Sequence, residues 1–166
     1  LRNTVDALGA MYNNEFAALF QKYGVLTKRE FMARNDIYVE RYCKDVATES
    51  KLCLNIAKKQ ILPAGYRYQG ELATTAAALK AAGKDPDTSS LDRASELVGE
   101  LESSIAALEQ AIHHEATGGL LDHAKHYRDE VIPAMMGVRK VADTLETLIS
   151  DDLWPLPTYQ EMLFIK

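Results

Sequence analysis

The chain has 166 residues, of which 47% are apolar and 26% charged, with a net charge of −5. That is enough for one domain with a real core. The mixed, mildly acidic charge gives no electrostatic reason to seek nucleic acid or an anionic membrane, and no apolar stretch approaches the ~20 residues that span a bilayer.

Glycine and proline sit far apart and β-branched runs are absent, which predicts long helices. A first short helix is expected from about Asn13 to Tyr23, with Phe16, Leu19, Phe20 and Tyr23 on one face. Gly24 suits the left-handed position that ends it. Thr27 and Glu30 form a capping-box pair, so a second helix starts near Lys28. No stop signal follows before Gly83, and the run of ~55 residues would be ~80 Å long. Tyr38, Tyr42 and Val46 are expected on one face, continued by Cys53, Ile56, Ala57 and Ile61. Pro63 lacks a backbone donor and its ring crowds the carbonyl four residues back, which predicts a kink between Lys59 and Pro63.

The segment GKDPDTSS reads as a loop, with Thr88 or Ser89 capping a third helix from about Leu91 to Ala116. Leu91, Ala94, Val98, Leu101, Ile105, Leu108 and Ile112 alternate in steps of three and four, a heptad seam. Gly118 and Gly119 end that helix. A fourth runs from about Leu121 to Ile149, with Val131, Met135, Val138, Ala142, Leu145 and Ile149 on its seam and a second kink at Pro133. A two-glycine turn makes the third and fourth helices antiparallel. Each would be ~40–45 Å long, about half the second helix. They can cover its C-terminal half but not its N-terminal half; the first helix can shield part of that, and the rest is expected to be solvated or to face something outside this chain.

The expected fold is therefore all-α: an elongated antiparallel bundle of three long helices, the second very long, plus a short N-terminal helix and a proline-rich tail. The tail is DDLWPLPTYQEMLFIK. Pro155 and Pro157 hold it extended, and Thr158 with Glu161 can cap a last turn. Trp154, Leu156, Tyr159, Leu163 and Phe164 supply apolar area worth ~1.5–3 kcal/mol for each side chain fully buried. The tail is expected to dock on its own bundle or on another region.

Residues able to carry chemistry are few. His113, His114, His123 and His126 crowd one turn, beside Glu115 and Asp122. His123 and His126 share a helical face, but no Glu-x-x-His motif exists, and His113 and His114 at a helix C-terminus also suit the helix dipole. A metal-binding bundle using His113, His123 and His126 stands as one rival reading. Asp151 and Asp152 form an acidic pair that rarely saturates a divalent cation alone. GYRYQGE lacks the strand and the Lys-Ser/Thr of a phosphate loop. Arg67, Tyr68 and Arg128 lie near the prolines and are expected to knit helices together. Cys43 and Cys53 on one helix would lie ~15 Å apart, too far for a disulfide, so both are expected as reduced thiols. No catalytic, cofactor-binding or metal-ligating residue is assigned.

Four segments carry a resemblance: KYGVLTKRE (Lys22–Glu30), QILPAGYRYQ (Gln60–Gln69), YRDEVIPAM (Tyr127–Met135) and DLWPLPTYQEMLFIK (Asp152–Lys166). Together they resemble the C-terminal helical region of type III glutamine synthetases. The resemblance implies a parent enzyme that joins ammonia to glutamate with ATP and Mg²⁺, in a large homo-oligomer. It also implies that the glutamate, metal and nucleotide sites lie upstream, in a catalytic region absent from these residues. Residues 1–166 would then be a single helical domain, a C-terminal fragment of a larger cytoplasmic enzyme, inactive alone. Its expected role is in scaffolding and subunit assembly, with the catalytic region and neighbouring subunits as partners and neither nucleic acid nor membrane. A chain starting at Leu1 rather than Met fits a fragment. The other rival is a free-standing helical interaction module.

Overall fold

In the computed structural model, residues 2–114, 117–157 and 159–164 are described, without the side chains of residues 159 and 160. Among these residues every regular element is helical. The elements are α1 (Thr4–Met11), α2 (Asn14–Lys22), α3 (Lys28–Ile56), α4 (Leu62–Ala81), α5 (Ser89–His113), α6 (Leu120–His126), α7 (Ile132–Glu146) and α8 (Tyr159–Leu163).

Their boundaries follow from local chemistry. Asn3 and Asn13 cap α1 and α2, accepting from the backbone N–H of Asp6 and Phe16. The capping box expected at Thr27 is present: its N–H donates to Glu30 Oε2 at 2.8 Å, and the Glu30 N–H returns to Thr27 Oγ1 at 3.3 Å. Gly24 ends α2 at φ 67° and Gly83 follows α4 at φ 75°. In both places the next N–H reaches the carbonyl five residues back, Val25 to Phe20 and Lys84 to Leu79, which closes the helix. Helix α1 was not foreseen, because its apolar residues are too few to show a clear period over two turns.

Neither proline breaks its helix. Ala57–Ile61 joins α3 to α4 as one π-helical turn, and the Leu62 N–H bonds to the Ala57 carbonyl. Tyr127–Val131 joins α6 to α7 in the same way, with the Ile132 N–H on the Tyr127 carbonyl. The two sites share a local sequence, Ile61-Leu62-Pro63-Ala64 and Val131-Ile132-Pro133-Ala134. A ring closed five residues back holds one residue more than an α turn. That widening makes room for the proline ring and absorbs the bond the proline cannot donate. The disturbance expected near each proline is thus a π turn placed just before it.

The chain divides into two compact units. The first comprises residues 1–51 and 111–133. Its core joins Val5 and Leu8 of α1, Val39 of α3 and Ala124 of α6, with Tyr42, Cys43 and Leu121 packed against them. Phe20 of α2 stacks on Phe31 of α3, ring centroids 5.2 Å apart. The first predicted helix does shield part of the N-terminal half of the long helix, through Phe20, and the correction is that α1 and α6 cover the stretch around Val39 that was expected to be solvated or to face something outside this chain. The buried position is Val39, whereas Tyr38 is 54% exposed.

The second unit comprises residues 52–110 and 134–166. The predicted seam of α5 is buried at Ala94, Val98, Leu101, Ile105 and Leu108, and that of α7 at Val138, Ala142 and Leu145. Lys58 pairs with Glu109, Tyr66 donates to Glu102, and Gln69 donates to Ser95 at 2.9 Å. Partner numbers fall as the first set rises, so α4 and its preceding turn run antiparallel to α5. Beyond Gln69 only Leu72 and Ala76 of α4 are partly covered. The bare stretch therefore lies at the C-terminal end of the long helix, opposite to expectation. In the tail, Trp154 and Leu156 are half-buried, while Leu163 and Phe164 are exposed. The cap expected at Thr158 lies outside the described residues.

Candidate functional site

Among the described residues no three His, Cys, Asp or Glu side chains are grouped so as to hold a metal ion. His126 Nε2 lies 3.0 Å from the Ala111 carbonyl. A carbonyl only accepts, so that nitrogen carries the proton and offers no lone pair to a cation. Nδ1 of the same ring faces Glu130 at 3.3 Å. His114 packs on His126 with ring centroids 5.4 Å apart. The contact ties the end of α5 to the end of α6.

Asp122 caps α6. Its carboxylate accepts the Gly119 N–H at 3.2 Å and pairs with Lys125 at 2.9 Å, and these bonds hold its pKa below the usual value. Gly118 sits at φ 139°, and a Cβ there would come within 2.6 Å of Asp122 Oδ2. The glycine and the aspartate therefore form one turn.

Arg128 is a structural clamp, as expected. It donates to Asp6 of α1 at 2.8 Å and forks onto Asp129 at 2.6 and 2.7 Å. The bond to Arg128 lowers the Asp129 carboxyl, and the bond to Asp129 raises the guanidinium in turn. Arg67 turns back on its own helix, Nε donating to the Pro63 carbonyl at 3.3 Å. Asp151 and Asp152 are exposed in a turn. Cys43 and Cys53 are free thiols, and burial pushes both above the ordinary value, which leaves little reactive thiolate.

The feature that pattern reading missed is a cavity of about 200 Å³ in the first unit. Met11, Phe20, Leu26 and Phe31 form its apolar wall, and Asn35 lines it as well. Asn35 is 2% exposed, and neither atom of its carboxamide has a hydrogen-bond partner among the described residues. The available signal was a lone Asn at a core register position, Phe31-x-x-x-Asn35-x-x-x-Val39, spaced by four.

Comparison with known proteins gives the context. Residues 1–80 match the family described as Glutamine synthetase C-terminal domain. The similarity runs further than that match. The chain is 28% identical over 172 residues to the glutamine synthetase of Butyrivibrio fibrisolvens, covering 99% of this chain and 24% of that protein. It is 26% identical over 171 residues to the glutamine synthetase of Bacteroides fragilis, covering 97% and 23% respectively. To the type-3 glutamine synthetase of Dictyostelium discoideum it is 25% identical over 181 residues, covering all of this chain and 24% of the relative. The chain spans about a quarter of the length of these relatives. The resemblance read from the four segments is borne out, and it extends to type-3 glutamine synthetases by name.

No helix among the described residues is long and apolar enough to cross a membrane.

Proposed function

We propose that residues 1–166 are a non-catalytic helical domain of a glutamine synthetase subunit, acting in scaffolding and subunit assembly. The parent would ligate ammonia to glutamate with ATP and Mg²⁺ in the cytoplasm, as a homo-oligomer, with its reaction centre in the polypeptide that this chain does not span. The observation that carries the reading is the match of residues 1–80 to the glutamine synthetase C-terminal domain, in a chain a quarter as long as its relatives. In the second unit, α4, α5 and α7 are read as a three-helix antiparallel bundle bearing the proline-rich tail.

Surface chemistry supports a docking role. Tyr23, Val25 and Ile37 are exposed on the first unit, and Met162, Leu163 and Phe164 on the tail. Large apolar side chains left exposed suit contact with another polypeptide, and aromatic residues and Met are enriched at such interfaces. The catalytic region of the same polypeptide and neighbouring subunits are the proposed partners.

The test is removal of the domain from the parent enzyme, with particle mass and glutamine formation measured together. The expected result is a smaller particle and reduced activity, restored when the domain is supplied on the same chain. Full assembly and full activity without the domain would overturn the reading.

A further inference from the structure

We infer that α2 is a lid that opens locally over α3, hinged at Asn13 and Gly24, and that the buried carboxamide of Asn35 keeps it poised to open. Three observations in the first unit carry this. The first is how little holds α2. Ala17 is its only buried residue, and Phe20 reaches α3 by stacking on Phe31. Phe16 and Leu19 of α2 are exposed, as is Tyr23 just beyond it. Among the described residues no hydrogen bond or ion pair joins Asn14–Lys22 to another helix. Helix α1 differs. Val5 and Leu8 are buried against Val39 and Ala124, Asp6 is held by Arg128 at 2.8 Å, and the Tyr12 phenol at its end faces the Asp36 carboxylate of α3, whose charge raises it.

The second observation is the cavity of about 200 Å³ shared by Phe20, Leu26, Phe31 and Asn35. Side chains that border a void lack contact atoms on that side, so the closed position of α2 gains less dispersion energy than a filled interface would. The third is Asn35 itself, 2% exposed and without a partner for either end of its carboxamide among the described residues. An unpaired buried polar group penalises the state that buries it. Lifting α2 gives the carboxamide water and removes that penalty, so the cost of opening falls by the same amount. The hinges suit the motion. Asn13 is extended, and Gly24 at φ 67° has no Cβ to resist a change of backbone angle. The closed form hides Phe31 and Asn35, and the open form bares them, so the two forms present different surfaces. This device goes beyond the assembly role proposed above and does not depend on it.

Native-state hydrogen exchange of the 166-residue chain, followed by nuclear magnetic resonance at several low urea concentrations, tests it. The amides of Phe20, Gln21 and Lys22 are expected to exchange through an opening that urea hardly changes, whereas those of Leu101 and Leu108 in α5 exchange through one that urea promotes steeply. Asn35→Leu should slow exchange in α2 roughly tenfold, because the opening no longer relieves an unpaired group. Asn35→Met carries the same expectation if Asn35→Leu fails to fold, since its flexible chain fits an irregular gap. A helix that merely frays would exchange fast and ignore position 35. Unchanged exchange of α2 in a folded position-35 variant therefore overturns the proposal. So does a urea dependence in α2 equal to that of α5, which would show that α2 opens only when the whole chain unfolds.

Discussion

Arg128 binds Asp6 from the far end of the chain, Nη1 to Oδ1 at 2.8 Å across 122 positions. The pair fixes α1 to the turn between α6 and α7. Both side chains keep partial solvent access, so the bond is screened and modest in strength. Arg128→Met is expected to lower the urea midpoint slightly and to raise hydrogen exchange across Thr4–Met11. Asp6→Asn should do the same, and the double variant should be less destabilised than the two losses summed. Strict additivity would show that the pair does not couple.

Two glycines of one helix should respond oppositely. A Cβ on Gly65 would lie 3.0 Å from Val98 Cγ2, whereas one on Gly70 meets nothing within 4 Å. Gly70→Ala is expected to stabilise by about 0.5–1 kcal/mol through helix propensity. Gly65→Ala should cost about 1 kcal/mol, because overpacking outweighs that gain. Adding Val98→Ala should relieve the clash. Urea denaturation of the three variants measures each sign.

The π turn before Pro63 holds one extra residue, which predicts where the chain tolerates a deletion. Removing exposed Lys59 together with Pro63→Ala should return Ala57–Ile61 to an α turn and leave the buried faces on both sides in register. Circular dichroism and urea midpoint are expected close to the starting protein. Removing Glu100 from the middle of α5 rotates Leu101, Ile105 and Leu108 by about 100° relative to Ala94 and Val98 and should unfold the second unit.

Acid should act through the helix caps. Hydrogen bonds to Thr27 lower Glu30 from 4.5, while bonds to Ser89 and to Lys125 lower Asp87 and Asp122 from 3.8. In each case the folded carboxyl binds its proton at lower pH than the unfolded one. Its contribution is therefore complete above the ordinary value and is lost as pH falls through the depressed one. Stability is expected to drop as pH falls from about 5 towards 3, with a shallower drop in the variant Glu30→Gln, Asp87→Asn, Asp122→Asn. An unchanged slope in that variant would show that the caps do not govern the acid response.

The sequence by itself determined the all-helical character and, α1 apart, the long helices and most of their ends. Caps, glycine stops and a heptad seam act over three or four residues, so Thr27, Glu30, Gly83 and the Leu101–Leu108 row were legible without a fold. Pro63 and Pro133 announced a disturbance because the missing donor is a property of the residue itself. Only the tertiary structure decided what covers what. Length matching left the start of the long helix bare, but α1 and α6 close over Val39 while the Ala-rich end of α4 stays open. The histidines and Asp122 left a metal-binding bundle open as a rival reading in the sequence, because order along the chain does not fix direction in space. Packing turned His126 onto a carbonyl and Asp122 onto its own cap. Asn35 looked unremarkable for the same reason: a carboxamide gains meaning only when three helices have closed around it and left it without a partner.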